Sequence, residues 1–312
     1  MRSGFGSRVL GGFLSFELVR CACVVHDAVP LPFLSEIVTC ARLTGREGLD
    51  MEPTAAEIKA RLQRADEREF AVLERSLMAD TRKGVQAALH TARRRLEAEA
   101  TERARLAAMY SYERTLAEGR GKGVIVGLDE VGRGPLAGPL AVGAVVLPPD
   151  PVIPGLNDSK QVKPDERERI AEEIRRVSRA WTVEYIEAET LDACGMTASL
   201  TSAFRRAVSH IESLGIHPDV ILLDGNPLHL DKREVNVIKG DGLCASIAAA
   251  SIVAKVDRDA LMCRYAEEYP EYGFDACKGY ATAAHIEAIK RFGLTPLHRA
   301  TFCTAFTQPT LF

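Results

Sequence analysis

Residues 124–134 read VIVGLDEVGRG, and the fold turns on them. Val124–Leu128 is a short apolar run set among glycines, the mark of a buried strand. It ends on two acids, Asp129 and Glu130, followed by a glycine–arginine–glycine turn. A second apolar run, Val220–Leu223, ends in the same way on Asp224. Strands that finish on polar groups are how α/β proteins place chemistry at the carboxyl edge of a sheet.

Outward from these two runs the elements alternate. Leu140–Leu147 predicts a second buried strand, Pro164–Val177 an amphipathic helix and Trp181–Ile186 a strand. Thr197–Leu214 predicts a helix, Val235–Ile238 a strand, Ile247–Glu268 a long helix and Thr282–Arg291 another. Strands first clustered, then alternating with helices, imply an α/β layer fold with a mixed sheet.

The chain before Gly123 has a different character. Ile58, Leu62 and Ala65 share one helical face; after Asp66, an N-cap, so do Phe70, Leu73 and Leu77. Asp80-Thr81 would cap a longer helix running through Arg93-Arg94-Arg95 to about Ala117, and Gly119, Gly121 and Gly123 would form a hinge. Residues 51–120 thus form a small helical module whose arginine run either touches phosphates or is a solvated face. Residues 9–19, VLGGFLSFELV, are too short to span a bilayer and are broken by Glu17. Residues 1–50 are expected to be a leader outside the folded part, with Met51 the true start. The α/β part would begin at about Gly123, with residues 304–312 a tail.

The net charge of −3 does not announce a polyanion binder, but its distribution is uneven. Residues 51–122 carry 15 basic against 12 acidic groups, and residues 123–312 carry 20 against 26. A basic segment beside an acidic one suits a nucleic-acid-binding arm joined to a carboxylate metal site. The eight cysteines, Cys21, Cys23, Cys40, Cys194, Cys244, Cys263, Cys277 and Cys303, form no C-x-x-C pair. This speaks against a zinc site and for a reduced, cytoplasmic protein with buried thiols.

Carboxylates gathered at strand ends repel one another unless protonated or neutralised by a cation. Oxygen-only ligands favour Mg²⁺ or Mn²⁺, and two such ions about 3.5–4 Å apart suit hydrolysis of a phosphodiester. Neighbours in a regular strand face opposite sides, so Asp129 and Glu130 share a site only where the strand is already bending towards Gly132 and Gly134. The glycines flanking Arg133 permit close backbone approach to a phosphate or a 2′-hydroxyl. As a dinucleotide fingerprint the loop fails, because the third glycine, Gly138, comes one position late.

The string LDEVGRGPLAGP, residues 128–139, resembles the first signature of the ribonuclease HII family. Four more follow in order: LNDSK at 156–160, LLDGN at 222–226, AAASIVAKVDRD at 248–259 and KGYATAAH at 278–285. The likeness covers about residues 123–303, and the segment from Met51 resembles the N-terminal extension of longer bacterial members. It implies a ribonuclease H-like fold with a five-stranded mixed sheet flanked by helices. It also implies an endoribonuclease cutting 5′ to the ribonucleotide in RNA–DNA hybrids and in DNA duplexes with embedded ribonucleotides. Two-metal-ion hydrolysis would leave 3′-hydroxyl and 5′-phosphate ends. By motif, Asp129, Glu130, Asp224 and Asp259 would be the metal ligands, Asp259 being chosen over Asp257, which fills a variable position. Gly132, Arg133 and Gly134 would read the 2′-hydroxyl and Tyr280 would stack on the adjoining sugar. Thr282, Lys160, Lys255 and Arg299 would contact phosphates or support the site. Tyr280 read alone is as well a core aromatic, and Lys255 a snorkelling chain. His285 is expected to pack near the Tyr280 turn, with His298 a weak proton-shuttle candidate. The protein would act as a monomer away from membranes.

The last five residues, QPTLF, resemble the short peptide by which repair proteins dock on the bacterial sliding clamp, with Gln308, Leu311 and Phe312 as its anchors. The other reading is a tail packed on its own domain. A different nuclease of the same fold, such as a junction resolvase, would share the carboxylates without needing a 2′-hydroxyl.

Overall fold

A computed structural model describes residues 53–229 and 231–307. The leader, Met51, the first three cysteines and the anchors Gln308, Leu311 and Phe312 lie outside the described residues. The described residues from Ala55 onward form one compact unit.

Three helices open it: α1 (Ala55–Arg64), α2 (Glu67–Ser76) and α3 (Lys83–Ala117). Ile58, Leu62 and Ala65 are buried against Phe70, Leu73 and Leu77, as their spacing predicts. Asp66 caps α2, accepting the Glu69 N–H at 2.8 Å. The cap expected at Asp80-Thr81 is absent: α3 starts after Arg82, and Asp80 instead accepts the Arg82 N–H and guanidinium. Two of the three arginines in the run are engaged within the module, Arg93 with Glu74 and Arg95 with Glu99 at 2.8 Å. The first half of α3 packs on α1 and α2 through Val85, Leu89, Ala92 and Leu96. Its second half joins the core of the following domain through Leu106, Met109 and Tyr110. The glycines after α3 all have positive φ. They make a tight turn rather than a hinge, since the Asp219 carboxylate accepts the N–H groups of Lys122 (3.0 Å) and Val124 (2.9 Å).

The sheet comprises β1 (Ile125–Val131), β2 (Leu140–Val146), β3 (Ala180–Ile186), β4 (Val220–Asp224) and β5 (Glu234–Val237). Its order is β3-β2-β1-β4-β5, antiparallel across β3, β2 and β1 and parallel across β1, β4 and β5. Between strands lie α4 (Pro164–Val177), α5 (Ala188–Cys194) and α6 (Met196–Ser213). After β5 come α7 (Gly240–Leu243), α8 (Ala245–Glu268), a 3-10 turn at Pro270–Tyr272, α9 (Phe274–Cys277), α10 (Ala283–Phe292) and α11 (Ala300–Thr307).

Two layers cover the sheet. Val126, Leu128, Ile221 and Leu223 face α6 and its Phe204 and Ile211. The alternate residues face α8, which approaches unusually closely. A Cβ on Gly127 would meet the Ser246 carbonyl carbon at 2.1 Å, and one on Gly143 the Ala250 oxygen at 2.3 Å. The alanines opening α8 therefore make the same close contact from the helix side. Glu113 of α3 fastens that helix, accepting the Ser246 N–H at 2.9 Å and its hydroxyl at 2.8 Å. A buried carboxylate there satisfies donors that the helix N-terminus would otherwise leave unpaired.

The five described cysteines are free. Cys244 and Cys303 are buried as expected, but Cys194 and Cys263 are exposed. Among the described residues no helix is long and apolar enough to cross a membrane.

Candidate active site

The parallel pairing of β1 with β4 ends at Leu128 and Leu223. The next residue on each strand is an aspartate, Asp129 and Asp224, so both lie at one end and on one face of the sheet. That face is the α8 side, where Ser251 hydrogen-bonds Asp129. Asp129 is only 6% exposed. Burial above all, then the charges of Glu130 and Asp224, pushes its carboxyl well above the ordinary carboxylate range. Glu130 is raised as well, by burial, with the nearby Arg133 guanidinium (3.1 Å) partly offsetting it.

The expectation that the strand bends before this pair is not met. Asp129 pairs with Gly143 and Glu130 with Val142 in an unbroken ladder. Their carboxylates still come near one another at the strand's end, Glu130 and Asp224 both raising Asp129 and Asp224 raising Glu130, and the turn comes after them, at Gly132 with φ 92°.

A fourth carboxylate is present, but it is not Asp259. The Asp259 carboxylate accepts Lys255 Nζ at 2.6 Å, and Arg167 lies 4.0 Å from its other oxygen. Lys255, its pKa lowered by burial, is thereby spent on Asp259 rather than aimed outward. Asp257 pairs with Arg175. The acid that joins the centre is Asp241, on α7. Burial and the charges of Asp158 and Asp224 raise its carboxyl, and Lys160 Nζ stands 4.0 Å away. Its chain is anchored there, because the N–H of neighbouring Gly240 donates to Asp224 at 2.7 Å. Sequence reasoning missed Asp241; a glycine-flanked acid directly before the alanine-rich helix was the available signal. Lys160 does reach the centre. Burial disfavours its charge, yet Asp158, Asp241, Asp129 and Asp224 together raise its pKa.

Four acids near enough to act on one another, with one lysine beside them, make a net-negative sheet end of hard oxygen donors. That donor set fits a divalent cation of the Mg²⁺ or Mn²⁺ type. Among the described residues, however, no three such side chains already stand together as a metal-holding group. Glu130 leans on Arg133 and Asp224 on the Gly240 amide instead.

The glycine loop lies beside these acids. Gly132 has no room for a side chain: a Cβ would sit 2.4 Å from Arg258 Nε. Arg133 is exposed, and Gly134 is open except for the Tyr280 ring, 4.0 Å from where its Cβ would be. Tyr280 is 42% exposed, which rules out the core reading. Thr282 is the N-cap of α10, accepting the His285 N–H. Arg299 is fully buried and donates to the carbonyls of Gly132 (2.7 Å), Arg133 (3.0 Å) and Gly138 (2.8 Å). Of the two roles expected for it, phosphate contact and support, the geometry leaves support. His285 packs behind the Tyr280 turn as expected, and His298 is buried, 5% exposed, against Thr295 and His285.

Residues 126–305 match the family model of ribonuclease HII, and residues 54–117 that of the ribonuclease HII N-terminal domain. The ribonuclease HII of Halalkalibacterium halodurans is 40% identical over 246 residues, covering 79% of this chain and 92% of that protein. That of Pelotomaculum thermopropionicum is 44% identical over 234 residues, 72% of this chain and 85% of that protein. Among solved structures, ribonuclease H2 from Pyrococcus horikoshii OT3 superposes with a TM-score of 0.50 at 26% identity, over 59% of this chain and 99% of that one. RNase HII from Archaeoglobus fulgidus, solved in complex with PCNA, gives 0.51 at 27%, over 60% and 98%. With residues 126–305 folded around one five-stranded sheet with an acidic end and residues 54–117 as the helices that precede it, this chain belongs to the ribonuclease HII family.

Proposed function

We propose that the protein cuts the ribonucleotide-bearing strand of RNA–DNA hybrids and of DNA duplexes with embedded ribonucleotides. Cleavage falls on the 5′ side of the ribonucleotide and leaves 3′-hydroxyl and 5′-phosphate ends. The observation that carries this reading is the paired Asp129 and Asp224 at one sheet end, beside an open glycine loop and an exposed tyrosine.

Asp129, Glu130, Asp224 and Asp241 would hold Mg²⁺ or Mn²⁺, two ions during turnover. Bound there, such cations would supply the positive charge that admits a phosphodiester to this acidic edge and would offset charge on the departing 3′-oxygen. The protein's own groups do the selecting. The 132–134 backbone approaches the minor groove where a 2′-hydroxyl is displayed, and only a ribonucleotide offers that group. The Tyr280 ring, close to Gly134, would stack on the adjoining sugar. Lys160, exposed beside Asp241, would meet a backbone phosphate.

The deciding experiment compares an all-DNA duplex with one bearing a single ribonucleotide, with and without Mg²⁺ or Mn²⁺. Cation-dependent cutting of the second alone is expected. Equal cutting of both would favour a nuclease that ignores the 2′-hydroxyl.

A docking role for the tail is a second reading, supported by the terminal QPTLF and by the Archaeoglobus relative solved with PCNA. Gln308, Leu311 and Phe312 would anchor it on a sliding clamp in the cytoplasm. Deleting residues 308–312 should abolish clamp pull-down; unchanged recovery would end the idea.

A further inference from the structure

Behind the glycine loop and the Tyr280 turn lies a buried polar cluster that the cleavage chemistry leaves unused. His285, His298, Arg258 and Arg299 are each at most 5% exposed. Their partners fix where the hydrogens lie. The Thr295 amide can only donate, so His298 Nδ1, 3.0 Å away, is bare. The Tyr280 carbonyl can only accept, so His285 Nδ1, at 2.9 Å, carries a hydrogen. With both rings neutral, His298 Nε2 then donates to bare His285 Nε2 across 3.1 Å. The hydrogen bonds run one way, from the Thr295 N–H through both imidazoles to the Tyr280 carbonyl. A second hydrogen on either ring would set two donors head to head. Burial acts in the same direction, pushing both imidazoles below the ordinary range and His298 to about 4.

The same cluster grips the glycine loop. Arg299, next in sequence to His298, holds the carbonyls of Gly132, Arg133 and Gly138. Arg258 spans the seam, donating to Ala137 and Pro139 on one side and to Lys278 on the other. The backbone closes it further, Leu136 N–H to Gly279 and Gly138 N–H to Leu297, each at 2.8 Å. The loop and the tyrosine turn are thus one body, although they are far apart in sequence.

We propose that the His298–His285 relay is a positioning device, holding the Tyr280 turn against the glycine loop so that the ring is set for a ribose. This rests on the ribonuclease reading above. Packing alone does not account for the pair. The rings of Tyr272 and Phe274 surround it and would hold apolar residues as readily. The Tyr280 carbonyl also accepts the Thr282 N–H at 2.8 Å, so what an apolar residue at 298 would leave without a partner is the buried His285 Nε2, and with it the ring that holds that carbonyl. The Tyr280 side chain, nearly half exposed, gets little anchorage from packing. Both histidines act through it and touch no substrate.

The test uses the full chain with His298→Leu and His298→Gln, each with and without Tyr280→Ala, on a duplex carrying one ribonucleotide. Glutamine can still accept from Thr295 and donate to His285; leucine keeps the bulk alone. His298→Leu is expected to lower kcat about tenfold with KM within about twofold, and His298→Gln to restore most of it. In the Tyr280→Ala background the leucine change should add nothing, the mark of two residues acting as one. Equal losses for leucine and glutamine, or a full leucine effect without Tyr280, would overturn the relay. Melting curves show whether each variant is folded. Should His298→Leu not fold, His298→Asn, polar but too short to span both partners, is read in its place. A wild-type chain that leaves the singly substituted duplex intact while cutting all-DNA would overturn the ribonuclease reading, and this role with it.

Discussion

Asp129 and Asp224 each stand one residue beyond the last paired positions of β1 and β4, so two carboxylates that are 95 residues apart in sequence share one corner of the sheet. Adjacent parallel strands lie about 4.8 Å apart, which is why neither charge is independent of the other. The folded chain prefers Asp129 protonated, whereas the unfolded chain releases that proton near 3.8. Between 3.8 and the raised folded value the folded state therefore binds more protons, and stability falls as pH rises through that window. With cations chelated at neutral pH, Asp129→Asn should melt higher than wild type. A gain of about 1 kcal/mol corresponds to roughly 2–4 °C in a domain of this size. The same variant should lose cleavage and most of the stabilisation that added Mn²⁺ gives wild type.

Asp241 and Asp259 are separable by substitution. Asp241→Asn should lower cleavage at least tenfold, a barrier change of about 1.4 kcal/mol, because it empties a position facing Asp224. Asp259→Asn should instead leave kcat within about threefold and act on stability, since it deprives half-buried Lys255 of its partner. Rates and melting temperatures measured on both variants check the exchange of roles.

Glu113 joins α3 to the start of α8 through a carboxylate that is 6% exposed. Glu113→Ala leaves the Ser246 N–H and hydroxyl without their acceptor in a buried place, a loss of about 1–3 kcal/mol in urea unfolding. Glu113→Gln keeps an acceptor and should lose less.

His298 gives the protein an acid limb. Its folded value of about 4 lies below the ordinary 6.5, so between those values the unfolded chain holds protons that the folded chain refuses. Stability should therefore fall as pH drops from about 6.5 towards 4 and be insensitive to this group above that window. His298→Gln should flatten that limb in melts taken across pH 4 to 7.

Much of this was legible in the sequence, where signals are local. The spacing of Ile58, Leu62 and Ala65, the Asp66 cap and the two apolar runs ending on acids each fix an element within its own few residues. Asp80 misled because Arg82, two positions on, captures its carboxylate before any helix amide does. Asp241 was hidden because only the pairing of β5 on β4 carries residues 239–242 back over Asp224. Asp259 looked right by motif, yet its own helix supplies Lys255 one turn earlier. A charged residue such as Arg299 reads as exposed until the folded loop surrounds it with carbonyls.

The helix α3 also has a mechanical meaning. Leu96 belongs to the core of the first three helices and Leu106 to that of the catalytic domain, only about 15 Å further along one unbroken rod. No joint separates them, so the first helices are a bracket bolted to the domain rather than a hand on a wrist. Whatever strand of polymer that bracket touches is held at a set offset from the acidic corner, as a jig holds work against a blade.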